Sequence, residues 1–537
     1  MTPSRATLAL FAGLVAMLPY AATPTFGPTY DDHHHVSRHP LLETPENGLR
    51  DLVTGDYLAV EQPDRARPVH LLSLLLDRLV LEPQLGSRYA AHHLGSVLVH
   101  GATTALLFLL LVALGARAGP SWFGAALFGV HPAAVEAVAG VSNREDPLAA
   151  LFTLVFLLAT LRYWRDGRRG MLGLGLVGLL LALGSKESAI VAPLLLLALT
   201  HLFEDRFGPS RRNRLFSLGA GVAACFAIFG ALQWRLGAPG LALFSGGAPL
   251  APQLSIPFRT DWMTAVPIEA FRLVRVVLGA PLSAEHDPRP WAHPGWVGLG
   301  AVVLLLLLGL AVQLHRRHRR SLAPLAWIAI GTLPVVPSPW LLNPIADRYL
   351  YLPALGLGLL GACAATSRNR WVPLSLALAI TVGAVSTAAH AAIWRDDVRL
   401  FEHAAARAPD ASRVHLNLGA AHLRRGELAA AAPALQRAAA LEPESVAANY
   451  TLGQLWERRG DLSRATESME RAATAPTSVG ESGLHDRAFF AWARLLHQRG
   501  DRNRLRRAVQ QERIQRPDSR PAAVWWARLS QAEREQR

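Results

Sequence analysis

The feature that most constrains this fold is a series of apolar runs separated by short, arginine-rich segments. A helix needs ~20 apolar residues to cross a bilayer, and several runs are shorter than that. With 18% charged residues and a mean hydropathy of +0.22, the composition also indicates a membrane protein. We therefore predict an all-α, polytopic helical bundle of about eleven spans. The eleven runs are 6–20, 94–116, 122–140, 148–164, 171–184, 189–203, 215–234, 297–314, 322–340, 349–365 and 372–392.

Arginine clusters recur in every second loop between these runs. By the positive-inside rule those loops face the cytoplasm, so the alternate loops face outward. Among the 54 basic residues only Lys186 is a lysine, a bias that suggests a GC-rich bacterial genome. We expect a multi-pass protein of the bacterial inner (cytoplasmic) membrane, with its site on the periplasmic side. The arginine clusters lie at 162–169, 206–214, 316–320 and 368–370, and the outward segments are 21–93, 143–146, 186–187, 345–348 and everything after 392.

Three apolar segments allow more than one interpretation. Run 6–20, preceded by Arg5, could instead be a cleaved signal peptide. Segment 171–203 is too long for one helix and carries arginines at both ends, so we predict a hairpin with Lys186 and Glu187 at its outer tip. Segment 262–282 contains two arginines, and we expect it to lie along the outer interface within a stretch of about 236–295.

The net charge of +14 does not make this chain a nucleic-acid binder. Its arginines lie between apolar runs, where they orient the helices in the membrane. GxxxxGKS does not occur, and the two GxGxxG spacings, at 173–178 and 356–361, lie inside apolar runs, so we expect no nucleotide-binding fingerprint. Cys225 and Cys363 both lie inside apolar runs, which excludes a disulfide framework and a CxxC zinc pair.

After residue 393 the composition changes and a repeat with a period of 34 residues begins. Pro409, Gly419, Gly426 and Ala438 recur as Pro443, Gly453, Gly460 and Ala472, and a weaker third copy ends near Gly500. Period and pattern resemble tetratricopeptide repeats, which are stacked pairs of antiparallel helices. We predict a membrane domain over 1–393 and a repeat domain over 394–537, with repeats at about 409–442, 443–476 and 483–515. Its concave surface would bind an acceptor protein or peptide, and the alternative is a plain helical tail.

Acidic and basic residues in the outward loops meet on one side of the predicted bundle. Arginine and lysine there suit a lipid-linked phosphate. Carboxylates suit deprotonation of a hydroxyl acceptor, and the close pair of aspartates in the first loop must repel, which favours a base-like pKa. The combination indicates sugar transfer from a polyprenyl-phosphate carrier. The candidate carboxylates are Asp31 and Asp32; the candidate phosphate-binding cations are Arg67, Arg144, Lys186 and Arg348; the supporting residues are His131, Glu136, Asp146, Glu187, Asp347 and Tyr349.

Each candidate also has a plain structural interpretation. The aspartates could be a solvated pair or a helix cap. The basic residues could form ion pairs that only hold helices together, and His131–Pro132 could be a helix kink. His93 and His100 could satisfy polar needs between helices. Three consecutive histidines, His33 to His35, point in different directions and are poorly spaced for one metal, so we expect no metal or other cofactor.

An ordered set of sequence words covers nearly the whole chain. The words are YDDHHHV, RARPVHLLS, HHLGSVLVH, FGVHPAAVEAVAGVSNREDPLAALF, LGSKESAIVAPLL, NPIADRYLYLP and IWRDDVRLF. In this order they resemble the transmembrane and tetratricopeptide-repeat O-mannosyltransferases and their bacterial relatives, of the GT-C class of glycosyltransferases. The resemblance implies an inverting transfer with Asp31 as the base and Asp32 in a supporting role. It assigns Arg144, Lys186 and Arg348 to the carrier phosphate.

The sequence departs from that family at three places. Ser96 stands where relatives usually carry Asn, Asn143 where they carry Gly, and Asp347 where they carry Glu. These departures leave the identity of the sugar open. From the resemblance we expect a transferase that moves mannose or another hexose to a Ser/Thr hydroxyl of an exported protein. A non-catalytic scaffold that binds envelope proteins through its repeats, and a lipid-linked sugar transporter, are the alternatives.

Overall fold

The structure, a computed structural model, describes residues 4–37, 39–54, 67–204, 212–235, 262–286, 293–336, 345–476 and 482–535. Helices and short helical turns make up the ordered elements, and the described residues contain no β-strand. The predicted all-α class is thereby confirmed. The chain divides into one unit of 1–247, 260–284 and 288–400 and a second of 248–259, 285–287 and 401–537.

The first unit contains the apolar helices. We number them in chain order together with the short helices of the first loop. They are α1 (Arg5–Met17), α2 (Asp32–His35), α3 (Pro40–Glu43), α4 (Pro45–Thr54), α5 (Pro68–Leu76), α6 (Glu82–Leu85), α7 (Arg88–Ala113), α8 (Ala118–Gly129), α9 (Val135–Ala139), α10 (Glu145–Asp166), α11 (Arg169–Ser185), α12 (Ala192–Leu202), α13 (Arg212–Arg235), α14 (Trp262–Leu278), α15 (Pro294–Arg317), α16 (Ala323–Thr332), α17 (Tyr351–Ala364) and α18 (Trp371–Ala391).

Six helical segments of the described chain are long and apolar enough to cross a membrane, and a seventh is added if α8 and the bent segment after it count as one span. The other predicted runs form the shorter apolar helices α11, α12, α16 and α17. Residues 337–340, the end of the ninth predicted run, lie outside the described residues. The six segments are Arg5–Thr25, Arg88–Ala113, Val141–Asp166, Asn213–Arg235, Pro294–Arg316 and Trp371–Arg395.

Small residues allow the inner helices to pack closely. Helix α7 contacts α1, α8 and α10, and α8 packs along α17. A Cβ atom added at Gly124 of α8 would lie 2.2 Å from the carbonyl oxygen of Gly358 in α17. Glycine is therefore required where these two backbones meet, as is common between membrane helices.

Three spans expose most of their apolar surface. Only 6% of the apolar window of Pro294–Arg316 is buried by protein, and 11% of the windows of Asn213–Arg235 and Trp371–Arg395. Leu306 and Leu378 illustrate this, since both leucines are well exposed. Exposing such large apolar surfaces to water would be unfavourable, so they are suited to contact with lipid.

The amphipathic segment predicted at the interface is partly described. Residues 236–261 and 287–292 of that stretch lie outside the described residues. Within α14, Arg272 and Arg275 are buried, while Val277 and Leu278 are exposed. Both arginines therefore face protein, as do Ile268 and Val276, while the exposed apolar residues lie at the end of the helix.

The second unit is a succession of helices; where the structure describes the connections they are short turns, so the helices that they join run antiparallel. Helix α19 (Asp397–Arg407) contains the boundary between the units. Gly419 and Gly453, equivalent in the repeat, each face the next helix, where an added Cβ would clash with Leu435 and Met469. Gly426, Gly460 and Gly500 have positive φ and terminate their helices. The helices are α20 (Ser412–Arg424), α21 (Leu428–Leu441), α22 (Val446–Arg458), α23 (Leu462–Thr474), α24 (Ser482–Gln498), α25 (Arg502–Gln515) and α26 (Arg520–Glu535).

Candidate functional site

The acidic motif lies on a sharp bend of the first loop. Tyr30 has φ +53°, the one positive φ at a non-glycine residue in the described chain, and α2 begins two residues later. Left-handed backbone at a tyrosine is strained and persists only where surrounding contacts hold it. Successive residues after the bend point in different directions, so Asp31 and Asp32 have different surroundings.

Asp32 is completely buried and hydrogen-bonded at both oxygens. Its Oδ1 accepts the Ser142 N–H at 2.7 Å, and its Oδ2 accepts the Thr29 N–H at 3.2 Å. The first bond places the carboxylate at the N-terminal end of the helical turn Val141–Arg144, where backbone N–H groups favour an anion. Burial nevertheless dominates and raises the pKa of Asp32 to about 6, against the lowering effect of these hydrogen bonds. Asp32 thus anchors the loop.

The Asp31 carboxylate is differently placed. Asp31 precedes α2 without capping it through its side chain, and no donor among the described residues hydrogen-bonds its oxygens. The residue is partly exposed. The Arg348 guanidinium interacts electrostatically with both Tyr30 and Asp31. Asp31 therefore presents a partly exposed carboxylate within electrostatic range of a cation.

Arg348 belongs to the helical turn Asp347–Leu350, directly before α17. Its Nη1 donates to Glu136 Oε1 at 2.6 Å, and its backbone N–H donates to Glu136 Oε2 at 3.0 Å. Two cations approach the Tyr349 ring, with Arg348 and Lys186 each 5.3 Å from its centre, which is within cation–π range. Glu136 therefore fixes Arg348 next to the acidic loop.

Asp347 has a different partner from its neighbour Arg348, which pairs with Glu136. Its carboxylate contacts Arg275 of α14 and accepts the Ser283 N–H at 2.8 Å. Arg275 also donates to the carbonyl of Ile345 at 3.1 Å. Asp347 thus connects the turn before α17 to α14, a partner that the sequence did not reveal.

A second group joins the predicted hairpin tip to the first loop. Lys186 Nζ lies 2.6 Å from Asp146 Oδ2 and 3.0 Å from Glu145 Oε1. Arg67 pairs with Glu145 and, through Nη2 at 2.5 Å and Nε at 3.0 Å, with Glu187. The acids Glu145 and Asp146 occupy the first turn of α10, where the helix dipole favours them. Lys186 itself sits at the break between α11 and the turn Glu187–Val191; α11 packs on α10, and α12 packs on α16 and on α10.

Arg144 is enclosed by protein. Its guanidinium pairs with Asp77 at 2.5 Å, donates to Ser96 Oγ at 2.9 Å, and contacts the carbonyl of His92. Asp77 begins a π-helical turn, Asp77–Leu81, and also bonds His92 Nδ1 at 3.0 Å. Asp77 was not among the residues predicted from the sequence. A carboxylate alone within the apolar stretch LLSLLLDRLVL was the available signal, because such a group must be paired when buried.

The predicted histidines fill structural positions. His131 caps the turn Pro132–Ala134 by accepting the Ala133 N–H at 3.3 Å, at a point where the apolar segment bends by 53°. His100 bonds the Tyr351 hydroxyl at 2.7 Å and the Gly129 carbonyl at 2.9 Å. His93 approaches the Gly27 carbonyl at 3.5 Å. His131–Pro132 thus lies at a bend between helices, as the structural interpretation of these two residues supposed.

The structure therefore places the candidates in three ion-pair groups around the acidic loop. Every predicted cation has at least one carboxylate partner: Arg67 with Glu145 and Glu187, Arg144 with Asp77, Lys186 with Glu145 and Asp146, Arg348 with Glu136. A carboxylate that a substrate hydroxyl can approach can act as a general base. A guanidinium that still has N–H donors not used by a carboxylate can bind a phosphate.

Metal-ligating groups come together elsewhere. Among the described residues, His485, Asp486 and Glu512 of the second unit have ligand atoms within 4.8 Å of one another. The Arg516 guanidinium contacts all three, at 2.8 Å from Asp486 and 3.3 Å from Glu512. Arg516 thus already supplies the positive charge that this group needs. In the first loop His33 pairs with Asp397 at 2.7 Å, and the His34 side chain lies outside the described residues.

Two curated proteins are similar to this chain. Protein O-mannosyl-transferase Tmtc1 of Drosophila melanogaster is 33% identical over 202 residues, which are 36% of this chain and 23% of that protein. Protein O-mannosyl-transferase Tmtc2 of the same fly is 29% identical over 278 residues, 49% of this chain and 29% of that protein. The chain thus spans about a quarter of the length of these relatives. No family model matches it.

Proposed function

We propose that this protein is a membrane glycosyltransferase that moves a sugar from a lipid-linked phosphate to a Ser/Thr hydroxyl of a protein, with Asp31 as the general base. One observation carries the proposal. Asp32 is buried and held by two backbone N–H groups, while its neighbour Asp31 is partly exposed and lies within electrostatic range of Arg348. The names of the two relatives point to the same chemistry.

The geometry suggests a division of labour within the transfer. The acceptor oxygen forms a bond to the anomeric carbon as the bond from that carbon to the carrier phosphate breaks. The hydroxyl proton passes to Asp31, which must be ionised and within ~3 Å of the oxygen at that moment. The electron pair of the broken bond leaves on the lipid phosphate, whose negative charge grows. Attack from the face opposite the phosphate inverts the anomeric configuration.

Arg348 is the cation best placed to receive that growing charge. Its Nη1 is used by Glu136, and its guanidinium lies within electrostatic range of Asp31 in the acidic loop. Guanidinium groups bind phosphate through two parallel N–H donors, and we propose that Arg348 uses its other N–H groups in this way. Lys186, whose Nζ lies 5.3 Å from the centre of the same Tyr349 ring, is the second candidate.

Arg67 and Arg144 receive a different assignment. Carboxylates and carbonyls already surround both guanidinium groups, and each side chain is buried. Removing either from these partners would leave buried charges uncompensated. We assign them to holding the first loop and α5 against α7 and α10, rather than to the phosphate.

The finer features remain part of the proposal. We propose a polyprenyl-phosphate carrier, mannose or another hexose as the sugar, and an exported protein as the acceptor, presented by the helical repeats of 409–515. The arginine pattern of the loops supports a bacterial inner membrane with the acidic loop on the periplasmic side. The reaction as written needs no metal.

The proposal is tested in cells that carry the wild-type gene, Asp31→Asn, or a deletion. Exported proteins are compared by intact-mass spectrometry. We expect both mutant strains to lose the same hexose-sized masses from the same proteins. If Asp31→Asn keeps those masses, the assignment of the base is wrong.

A non-catalytic scaffold is the second candidate, and the ion pairing favours it. A site in which each predicted cation is already neutralised is also what a purely structural network would look like. A scaffold predicts that Asp31→Asn behaves as wild type, whereas removal of residues 409–537 abolishes function without changing any glycan. The same mass comparison separates the two.

A further inference from the structure

Asp397 holds the acidic loop through both of its oxygens. Its Oδ1 accepts the Tyr30 N–H at 2.8 Å, and its Oδ2 lies 2.7 Å from His33 Nε2. These two partners flank the Asp31–Asp32 pair in sequence. Asp397 is the first residue of α19, follows α18 closely, and is buried. The sequence word IWRDD thus contacts the first loop across more than 360 sequence positions.

The bond to Tyr30 falls on the strained residue. Tyr30 is held with φ +53°, and the amide that Asp397 binds is its own. A left-handed tyrosine reverts to an extended or helical conformation unless outside contacts oppose it. Because the bend at Tyr30 sets the direction of the next side chain, a change of φ there would move the Asp31 carboxylate.

The loop is held from two sides. On one side Asp32 bonds the backbone of Ser142, and on the other Asp397 bonds Tyr30 and His33. The Gly27 N–H adds a bond to the carbonyl of Arg395 at 3.3 Å, beside Asp397 in sequence. Asp31 is the residue left between these two attachments.

We propose that Asp397 is a positioning residue, which holds Tyr30 and His33 so that Asp31 faces the acceptor hydroxyl. This inference rests on the proposed transferase function. Asp397 is buried and both of its oxygens are bonded within the protein, so we expect an effect on the rate of the chemical step rather than on donor binding. An asparagine there can accept from only one of the two partners, whereas a carboxylate serves both.

The first test is independent of activity. Hydrogen exchange is followed in the full-length protein for peptides that cover residues 27–36, in wild type, Asp397→Asn and the control Asp396→Asn. The control changes the neighbouring carboxylate, which caps α19 by accepting the Arg399 N–H at 3.1 Å. We expect at least ten-fold faster exchange in Asp397→Asn alone. Equal exchange in all three proteins would overturn the inference, whatever the protein catalyses.

The second test follows transfer in the same proteins, with Asp31→Asn alongside. A base displaced by about 1 Å costs on the order of 100-fold in rate, so kcat should fall by that factor in Asp397→Asn while KM for the lipid-linked sugar stays within two-fold. Asp396→Asn should match wild type. If Asp31→Asn abolishes transfer and Asp397→Asn does not slow it, positioning fails while the proposed function stands. If Asp31→Asn transfers normally, the proposed base fails, and the exchange result alone decides the role of Asp397.

Discussion

The buried ion pair between Arg144 and Asp77 offers a quantitative test of how this site is held together. The Arg144 side chain is 1% exposed and that of Asp77 is 7% exposed, with their closest charged atoms 2.5 Å apart. Breaking such a pair by removing one partner costs about 3–5 kcal/mol, because an uncompensated charge stays buried. The Asp77→Asn substitution should lower the free energy of unfolding by about 3 kcal/mol, the lower end of this range, because an amide oxygen can still accept a hydrogen bond from Arg144.

The double-mutant cycle supplies the magnitude of the coupling. In Arg144→Met the carboxylate of Asp77 loses its cation, while in the double mutant neither charge is present. We therefore expect the double mutant to be more stable than the sum of the single effects implies, with a coupling of about 2–3 kcal/mol. Residual bonds of Asp77 to His92 keep the coupling below the full cost of either change.

Equilibrium unfolding in mixed detergent and SDS micelles, followed by tryptophan fluorescence, measures these free energies. Asp166→Asn serves as the control, since Asp166 pairs with an exposed arginine and should leave the unfolding midpoint unchanged. If the losses in unfolding free energy of the two single mutants add up to that of the double mutant within about 0.5 kcal/mol, Asp77 does not hold Arg144 in place.

Two further predictions concern pH and helix packing. Burial raises the pKa of Asp32 to about 6, so the folded protein binds the carboxyl proton more tightly than the unfolded chain does. The protonated carboxyl therefore stabilises the folded protein fully below about pH 4. This stabilisation, about 3 kcal/mol, is lost as the pH rises through about 6. Wild type should therefore gain in melting temperature relative to Asp32→Asn as the pH falls from 7 to 5, and a constant difference would contradict the assignment. Gly124→Ala should destabilise by about 1–3 kcal/mol, because the added Cβ lies 2.2 Å from the Gly358 oxygen. Gly119→Ala in the same helix meets nothing within 4 Å, so thermal unfolding should show no loss for this control.

The fold was predictable because its determinants are local. Each apolar run of the sequence became a helix where the structure describes it, since a backbone in lipid must satisfy its own hydrogen bonds. The same holds for the repeat glycines: Gly426 and Gly460 terminate equivalent helices with φ of +75° and +77°. Both effects depend on residues within a few positions of each other.

The pairing of charges was not predictable in the same way. Arg275 contacts Asp347 and Arg144 contacts Asp77, across 72 and 67 sequence positions. Which acid meets which base depends on how the helices pack, and hydropathy does not contain that information. The sequence could name Asp31 and Asp32 as a pair, but only the structure shows that Asp32 is hydrogen-bonded to Ser142 and Thr29 while Asp31 is accessible.

The most direct test of the central claim uses the purified full-length protein in lipid nanodiscs. It is supplied with radiolabelled polyprenyl-phosphate mannose and a serine- and threonine-containing peptide, and label transfer to the peptide is measured for wild type, Asp31→Asn and Asp32→Asn. General-base catalysis contributes about 10²–10⁴-fold, so the account predicts a rate loss of that size in Asp31→Asn. Transfer by Asp31→Asn at the wild-type rate would contradict it.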